Sequence, residues 1–585
     1  MRALSLSCFA SALLLAPNSA PLAQEEGPGG FPGLAAGRAP QVEIPFNRLY
    51  DTHELYALFD RLVETWPQYV RREVIGRSVQ GREMLVYTLN DPASGSDRVK
   101  PAMWIDANIH GNEVQGGEVV LYTAWYLLEN KGTNARVDEL FERCSFYLNP
   151  TLNPDGRAHW FQNANTASSS RSGVAPIDSD RDGLFDEDPP NDLDGDGNIV
   201  QMRVHTPGEG THRLNLDDDR ILERVGPGEK GDWTLLRSEG IDDDGDGRTN
   251  EDGLGGYDMN RAWPSLWQPE HVQFGAGPYP LYWPETRSAA EFILDHPNIA
   301  AVQSFHNAGG MILRGPGAEN YGNYPRADVT VYDELGGEGE RMLPFYRYMV
   351  IWSDLYTVFG GMVNWTYEGM GIFSFTNELW TGDRNSPDDR VGGGQAERLW
   401  FDDHLLSGAG FVDWHPVPHP LYGEVEVGGF VKDVGRVPPT FLIEEMLHRN
   451  AMFCLLHAEA MPEVEIGEPT ITELGDGLLA IDVRVSNPRS MPTRASLAAS
   501  KSMGLPDVVA LSGDGLEVLA SGIRRDDWHP ERIALTDAQP ERIVLESGVP
   551  GRGELDLRWF VRGSGAVTLT WTGEKARDVA RSFDL

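Results

Sequence analysis

Between Pro45 and about Ala460, strand-like and helix-like segments alternate, and this alternation limits the fold more than any other feature of the chain. Leu55, Leu58, Phe59 and Leu62 recur at helical spacing. Arg82–Leu89 (REMLVYTL) and Met103–Ile109 read as strands, and Val119–Leu128 reads as a helix. Strands separated by helices are joined by crossovers rather than hairpins, so the expected fold is α/β: a mixed, mostly parallel sheet with helices on both faces.

The alternation is interrupted once and then ends. Residues 158–256 hold 23 Asp/Glu against 9 Lys/Arg with few apolar runs, and read as an acidic insertion looping out of the 45–460 domain. From 461 to 585, period-two patterning in Leu479–Val485, Leu555–Val561 and Ala566–Trp571 predicts a small C-terminal β-sandwich. No repeat at a solenoid period is present.

At the other end, Arg2 precedes the apolar run Ala3–Ala16, with small residues at Ala20 and Ala23. Residues 1–23 therefore read as an export signal, and the Gly/Pro/Ala-rich stretch 24–44 as a linker. No apolar stretch approaches the roughly 20 residues of a membrane span, and the expectation is a secreted or periplasmic protein. With Cys8 in the signal, Cys144 and Cys454 are left as expected buried thiols; three cysteines exclude a disulfide scaffold or a Cys-rich zinc module. The charge, 49 Lys+Arg against 89 Asp+Glu, opposes nucleic acid and anionic lipid as partners.

The chemistry-bearing residues start in Ile105–Gly117 (IDANIHGNEVQGG). His110 and Glu113 are three apart, so on a turn into a helix both can face one metal. Zinc accepts imidazole nitrogen and carboxylate oxygen, and a catalytic site needs three protein ligands with a fourth position for water. His306, ending an apolar run in QSFHNAGGMILRGPG, is the third candidate. An isolated H-x-x-E pair could arise by chance; order and context decide.

In that order and context the chain resembles the zinc metallocarboxypeptidases of the carboxypeptidase A/B type, over about residues 45–460. IGRSVQGREM (Ile75–Met84) is similar to the strand pair before the first ligands, HGNE to the ligand pair, and NPDG (Asn153–Gly156) to a characteristic turn. YDMNRAWP (Tyr257–Pro264) resembles the Asn-Arg clamp, SFHNAGG the third ligand, and NWTYEGMGIFSFTNEL (Asn364–Leu379) the strand bearing the catalytic glutamate.

The resemblance implies that His110, Glu113 and His306 bind Zn²⁺ and that Glu378 is the general base and proton shuttle. Asn260 and Arg261 would hold the substrate's terminal carboxylate, which suits the planar fork of arginine; the competing reading pairs Arg261 with Asp258. Tyr356, 22 residues before Glu378, would be the mobile capping tyrosine. Val363 would form the base of the side-chain pocket and favour an apolar C-terminal residue. An arginine that polarises the scissile carbonyl is expected about a dozen residues after NPDG, where HWFQNANTASSS has none. Arg203, in IVQMRV after the acidic stretch, is favoured over the nearer Arg171. The implied activity is hydrolysis of the C-terminal peptide bond of peptides or proteins. Cell-wall peptides are the alternative substrate, and an inactive peptide- or glycan-binding module is the alternative class.

The insertion carries three D-x-D-x-D-G stretches: Asp178, Asp180 and Asp182; Asp192, Asp194 and Asp196; Asp242, Asp244 and Asp246. Alternate carboxylates on a tight turn converge on one hard cation, and the glycine permits the bend. The twelfth positions are Pro189, Arg203 and Gly253, so these are not EF-hands; short single-turn Ca²⁺ loops are expected.

Overall fold

The computed structural model describes residues 39–585 except 170, 383–393, 526, 527, 530, 531 and 537. The expected export signal, 1–23, lies outside the described residues. Packing begins slightly ahead of the expected boundary at 45. Val42 and Ile44 are buried, and Trp125 Nε1 donates to the Val42 carbonyl at 2.9 Å. Two β-branched residues in a Gly/Pro-rich stretch are too short a run to register as patterning.

The central sheet has eight strands, in the order Val70–Arg77, Glu83–Leu89, Ser145–Asn149, Ala102–Ala107, Ile299–Asn307, Phe373–Leu379, Met311–Arg314, Arg347–Val350. Four neighbouring pairs are parallel and three antiparallel, which is the mixed sheet expected. Side chains alternate between two cores: Met103, Ile105 and Ala107 face one, Ala102 and Trp104 the other. Helices Thr52–Thr65, Gln115–Asn130, Arg326–Met342 and Thr440–Glu459 cover the first; Pro284–Leu294 and Met362–Glu368 cover the second. Trp104 is fully buried, so truncating it to alanine should cost roughly 3–5 kcal/mol.

Two of the sequence motifs hold each other in place. Asp155 of NPDG accepts from Ser78 Oγ at 2.7 Å, Gln80 N at 2.8 Å and Arg82 Nη1 at 2.8 Å, all in IGRSVQGREM. The helix after HGNE sits directly on two strands. A Cβ at Gly116 would lie 2.8 Å from Ala107 Cβ and 2.9 Å from Phe305 Cβ, so only glycine permits that approach.

The acidic segment is not only a loop. Helix Pro154–Gln162 runs past its expected start at 158. Strands Gln201–Gly210, His212–Leu214, Leu222–Arg224 and Gly231–Ser238 join the hairpin Phe411–His419 and Gly423–Phe430 in a six-stranded sheet. Its small core is Val200, Met202, Val417, Val425 and Val427. From residue 465 onward two antiparallel sheets face each other across Ile481, Val483, Val509, Trp559, Leu569 and Trp571. This sandwich docks on the α/β domain where Ser496 N and Leu497 N each donate to buried Asp328 at 2.9 Å.

Cys144 and Cys454 are free and buried; burial pushes the Cys144 thiol up to about 11. Among the described residues no helix is long and apolar enough to cross a membrane.

Candidate active site

Parallel strands present their carboxyl ends on one side of the sheet, where α/β folds place ligands. His306 and Glu378 lie at such ends, on strands Ile299–Asn307 and Phe373–Leu379, directly opposite each other in the pairing register. Phe305, Phe375 and Leu379 point into the first core, so by alternation His306 and Glu378 share the other face. His110 and Glu113 come from the turn after strand Ala102–Ala107. That turn is stapled by buried Arg157, which donates to Asn108 Oδ1 and the Val114 carbonyl at 2.5 Å and to Glu118 Oε1 at 2.7 Å.

Three donor groups converge there. His110 Nδ1 is 3.0 Å from Glu113 Oε1, His306 Nδ1 is 2.8 Å from Glu113 Oε2, and the two Nδ1 atoms are 3.1 Å apart. All three side chains are 3% exposed. Donors around a tetrahedral zinc with bonds of about 2.0–2.1 Å are separated by about 3.3 Å, so these atoms fit one such ion. His110 Nε2 lies 3.0 Å from Asp258 Oδ1, which fixes the tautomer that leaves Nδ1 free to ligate. Burial alone would raise the Glu113 carboxyl, but the charges of His110 and His306 outweigh it and hold the group well below the ordinary range. Burial opposes ionisation of Asp258 as well, and is outweighed by Arg261, His110 and Arg171.

Glu378 faces this cluster. Burial, then the Glu113 charge, push its carboxyl up to about 7, within the range where a carboxylate exchanges protons near neutrality. Asn260 is anchored by its Oδ1, which accepts from Met362 N at 2.9 Å, and its Nδ2 lies 3.4 Å from His306 Nε2. Arg261 is buried, donates to the Asn260 carbonyl at 3.0 Å and lies 3.7 Å from Asp258 Oδ2. It thus has the acidic neighbour that the competing reading gave it. Tyr356 is 51% exposed and contributes to the field at Arg171. Val363 is buried among Leu313, Ile351 and Val358.

One expectation is corrected. Arg203 is not at the centre: its guanidinium is stacked between Trp233 and Trp414, 4.4 and 4.3 Å from their ring centres, and donates to Glu426 at 2.7 Å. It is a packing residue of the six-stranded sheet. Arg171 is the arginine that reaches the site, donating to Glu113 Oε1 at 2.9 Å and Asp258 Oδ2 at 3.3 Å, with Glu378 close enough to add to its field. A residue without any sequence signal also arrives. Arg436, between the hairpin and helix Thr440–Glu459, donates to the Asn307 carbonyl at 2.6 Å and sits 3.5 Å from Glu113 Oε1.

The three acidic loops share one conformation. In each, the first aspartate accepts from the backbone N–H three and five residues on: Asp178 from Arg181 and Gly183, Asp192 from Gly195 and Gly197, Asp242 from Gly245 and Gly247. Carboxylate oxygens gather in groups that include Asp180, Asp182 and Glu187; Asp192, Asp194 and Glu239; and Asp188, Asp244 and Glu251.

A family model described as zinc carboxypeptidase matches residues 55–196 and 233–391, and one described as a domain of unknown function matches residues 463–584. Carboxypeptidase Z of Homo sapiens is 33% identical over 129 residues, 21% of this chain and 20% of that protein. Carboxypeptidase B of Astacus astacus is 32% identical over 128 residues, 22% of this chain and 40% of that protein. The chain thus spans less than half the length of either relative. A solved carboxypeptidase A from Helicoverpa armigera aligns with 59% of this chain and 68% of its own at 18% identity and a TM-score of 0.39.

Proposed function

Because this chain belongs to the zinc carboxypeptidase family, we propose that it is an exported metallocarboxypeptidase that hydrolyses the C-terminal peptide bond of peptides or proteins. The observation that carries this reading is the convergence of His110 Nδ1, the Glu113 carboxylate and His306 Nδ1, with Glu378 in register beside His306. Bound by those three residues, Zn²⁺ would supply a Lewis acid and a water of lowered pKa.

The chain's own groups do the rest. Glu378 takes the proton of the attacking water on its carboxylate and returns it to the leaving amine. Arg171 turns its guanidinium toward the developing carbonyl oxyanion, taking the part first given to Arg203. Asn260 and Arg261 hold the free carboxylate of the substrate, and exposed Tyr356 covers it. The aliphatic surroundings of Val363 support an apolar C-terminal residue. Export rests on residues 1–23. Ca²⁺ in the three acidic loops rests on their shared conformation and all-oxygen donors.

The deciding experiment is release of a free amino acid from an unblocked peptide. It should be abolished by a zinc chelator and absent with an amidated C-terminus. Equal cleavage of blocked and unblocked peptides would remove the carboxypeptidase reading.

A further inference from the structure

The first and third acidic loops are copies of one another beyond their D-x-D-x-D-G. They read D-x-D-x-D-G-x-x-D-E-D from Asp178 to Asp188 and D-x-D-x-D-G-x-x-N-E-D from Asp242 to Asp252. Asp186 and Asn250, at equivalent positions, both have left-handed backbone, φ +52° and +60°. Asp188 and Asp252 then meet in an antiparallel bridge, so the two loops face each other end to end.

Each loop lacks a twelfth-position glutamate, and the bridge carries a carboxylate across to its neighbour. Asp252, at the end of the third loop, groups with Asp178 and Asp180 of the first; Asp188, at the end of the first, groups with Asp244 and Glu251 of the third. Within each group the oxygens lie within 4.8 Å of one another, the widest separation possible across one ion with bonds of about 2.4 Å. Asp252 is completely buried, yet its Oδ2 has no hydrogen-bond partner. Glu187 and Glu251 are only partly buried, but both carboxylate oxygens of each are hidden from solvent and have no hydrogen-bond donor either. Buried carboxylates facing one another without donors are costly unless something positive lies between them.

We infer that the first and third loops bind two divalent cations by exchanging carboxylates: Asp252 completes the site of the first loop and Asp188 completes that of the third. This rests on the Ca²⁺ reading above and specifies it. All-oxygen donors from short backbone turns favour Ca²⁺ over Mg²⁺, which demands near-ideal octahedral geometry. The pair lies at the neck of the insertion, flanked in sequence by Arg171 on one side and Asp258 on the other. The neck is tight: a Cβ on Gly256 would come within 2.1 Å of Ser179 Oγ.

The test is calcium stoichiometry by calorimetry on the zinc-loaded full chain. Asp178→Asn and Asp252→Asn should each bind one Ca²⁺ fewer than wild type, and the double variant should also bind one fewer, because both residues serve one ion. If the loops were independent, Asp252 would belong to the third loop, and the double variant would lose two; that result overturns the exchange and leaves the Ca²⁺ reading standing. A wild-type chain that binds no Ca²⁺ overturns both. The mirror pair Asp188→Asn and Asp244→Asn gives the same discrimination if either first variant fails to fold by circular dichroism.

Discussion

The zinc-type centre and the acidic insertion both gather ionisable side chains, but they are built in opposite ways. The centre takes an imidazole and a carboxylate from one turn and a second imidazole from a distant strand, all fixed to a sheet, each almost fully buried and each braced by a further residue such as Asp258. The insertion takes carboxylates alone, from short turns whose conformation is set by their own backbone N–H groups. The first arrangement selects a borderline-soft ion and holds it rigidly; the second suits a hard ion and tolerates adjustment. On the proposed reading, chemistry falls to the sheet and bracing to the loops.

The sharpest way to break that division is Glu378→Gln. It should lower kcat/KM by about 10²–10⁴-fold while zinc content, read by atomic absorption, is unchanged. Retained turnover would move the base elsewhere. Next, Arg171→Ala should lower kcat by roughly 10²–10³-fold, the usual loss of one oxyanion donor. Arg203→Ala should leave turnover intact and cost roughly 1–3 kcal/mol in urea unfolding, through its lost carboxylate pair and indole stacking. Reversed outcomes would restore Arg203 to the site.

A smaller effect separates the two regions by temperature. Calcium at about a hundredfold over its dissociation constant adds roughly 2.7 kcal/mol of stability. A calcium-selective chelator should therefore lower the melting temperature by several degrees without removing zinc; identical melting curves would leave the loops without their ion.

The smallest is a slope. Burial pushes Glu239, Glu251 and Glu285 up to about 7 from an ordinary 4.5. The folded state therefore holds their protons more tightly than the unfolded chain. Their stabilisation is complete below about pH 4.5 and is lost as pH rises through about 7. In chelator, urea midpoints should fall across that window. With Ca²⁺ replacing protons at Glu239 and Glu251 the fall should be shallower, while Glu285, bound to Val79 N, keeps part of it. Equal slopes with and without calcium would deny the loops their role.

The zinc-binding candidates and Glu378 were readable because each sits in a short motif tied to one strand end or turn, and such motifs survive any insertion between them. Arg171 falls later than the expected position because counting residues after NPDG assumes a turn of fixed length. Here the chain takes extra residues after helix Pro154–Gln162 and is still pinned where Gly111 N donates to the Arg171 carbonyl at 2.8 Å. Arg436 left no trace because it is delivered by the connection after a hairpin that pairs with strand Gln201–Gly210 from the insertion. That pairing across distant sequence is invisible to local periodicity. The sandwich was legible for the converse reason: its antiparallel strands have one buried face and alternate cleanly.

The bridge between Asp188 and Asp252 closes a long detour that leaves the site at Arg171 and returns at Asp258. Calcium is scarce where chains are synthesised and plentiful outside the cell, and extracellular modules bind it at about 10⁻⁴–10⁻³ M. With an affinity in that range, ions shared across the bridge would draw the detour tight wherever calcium is plentiful, and so hold Arg171 and Asp258 at its two ends close together.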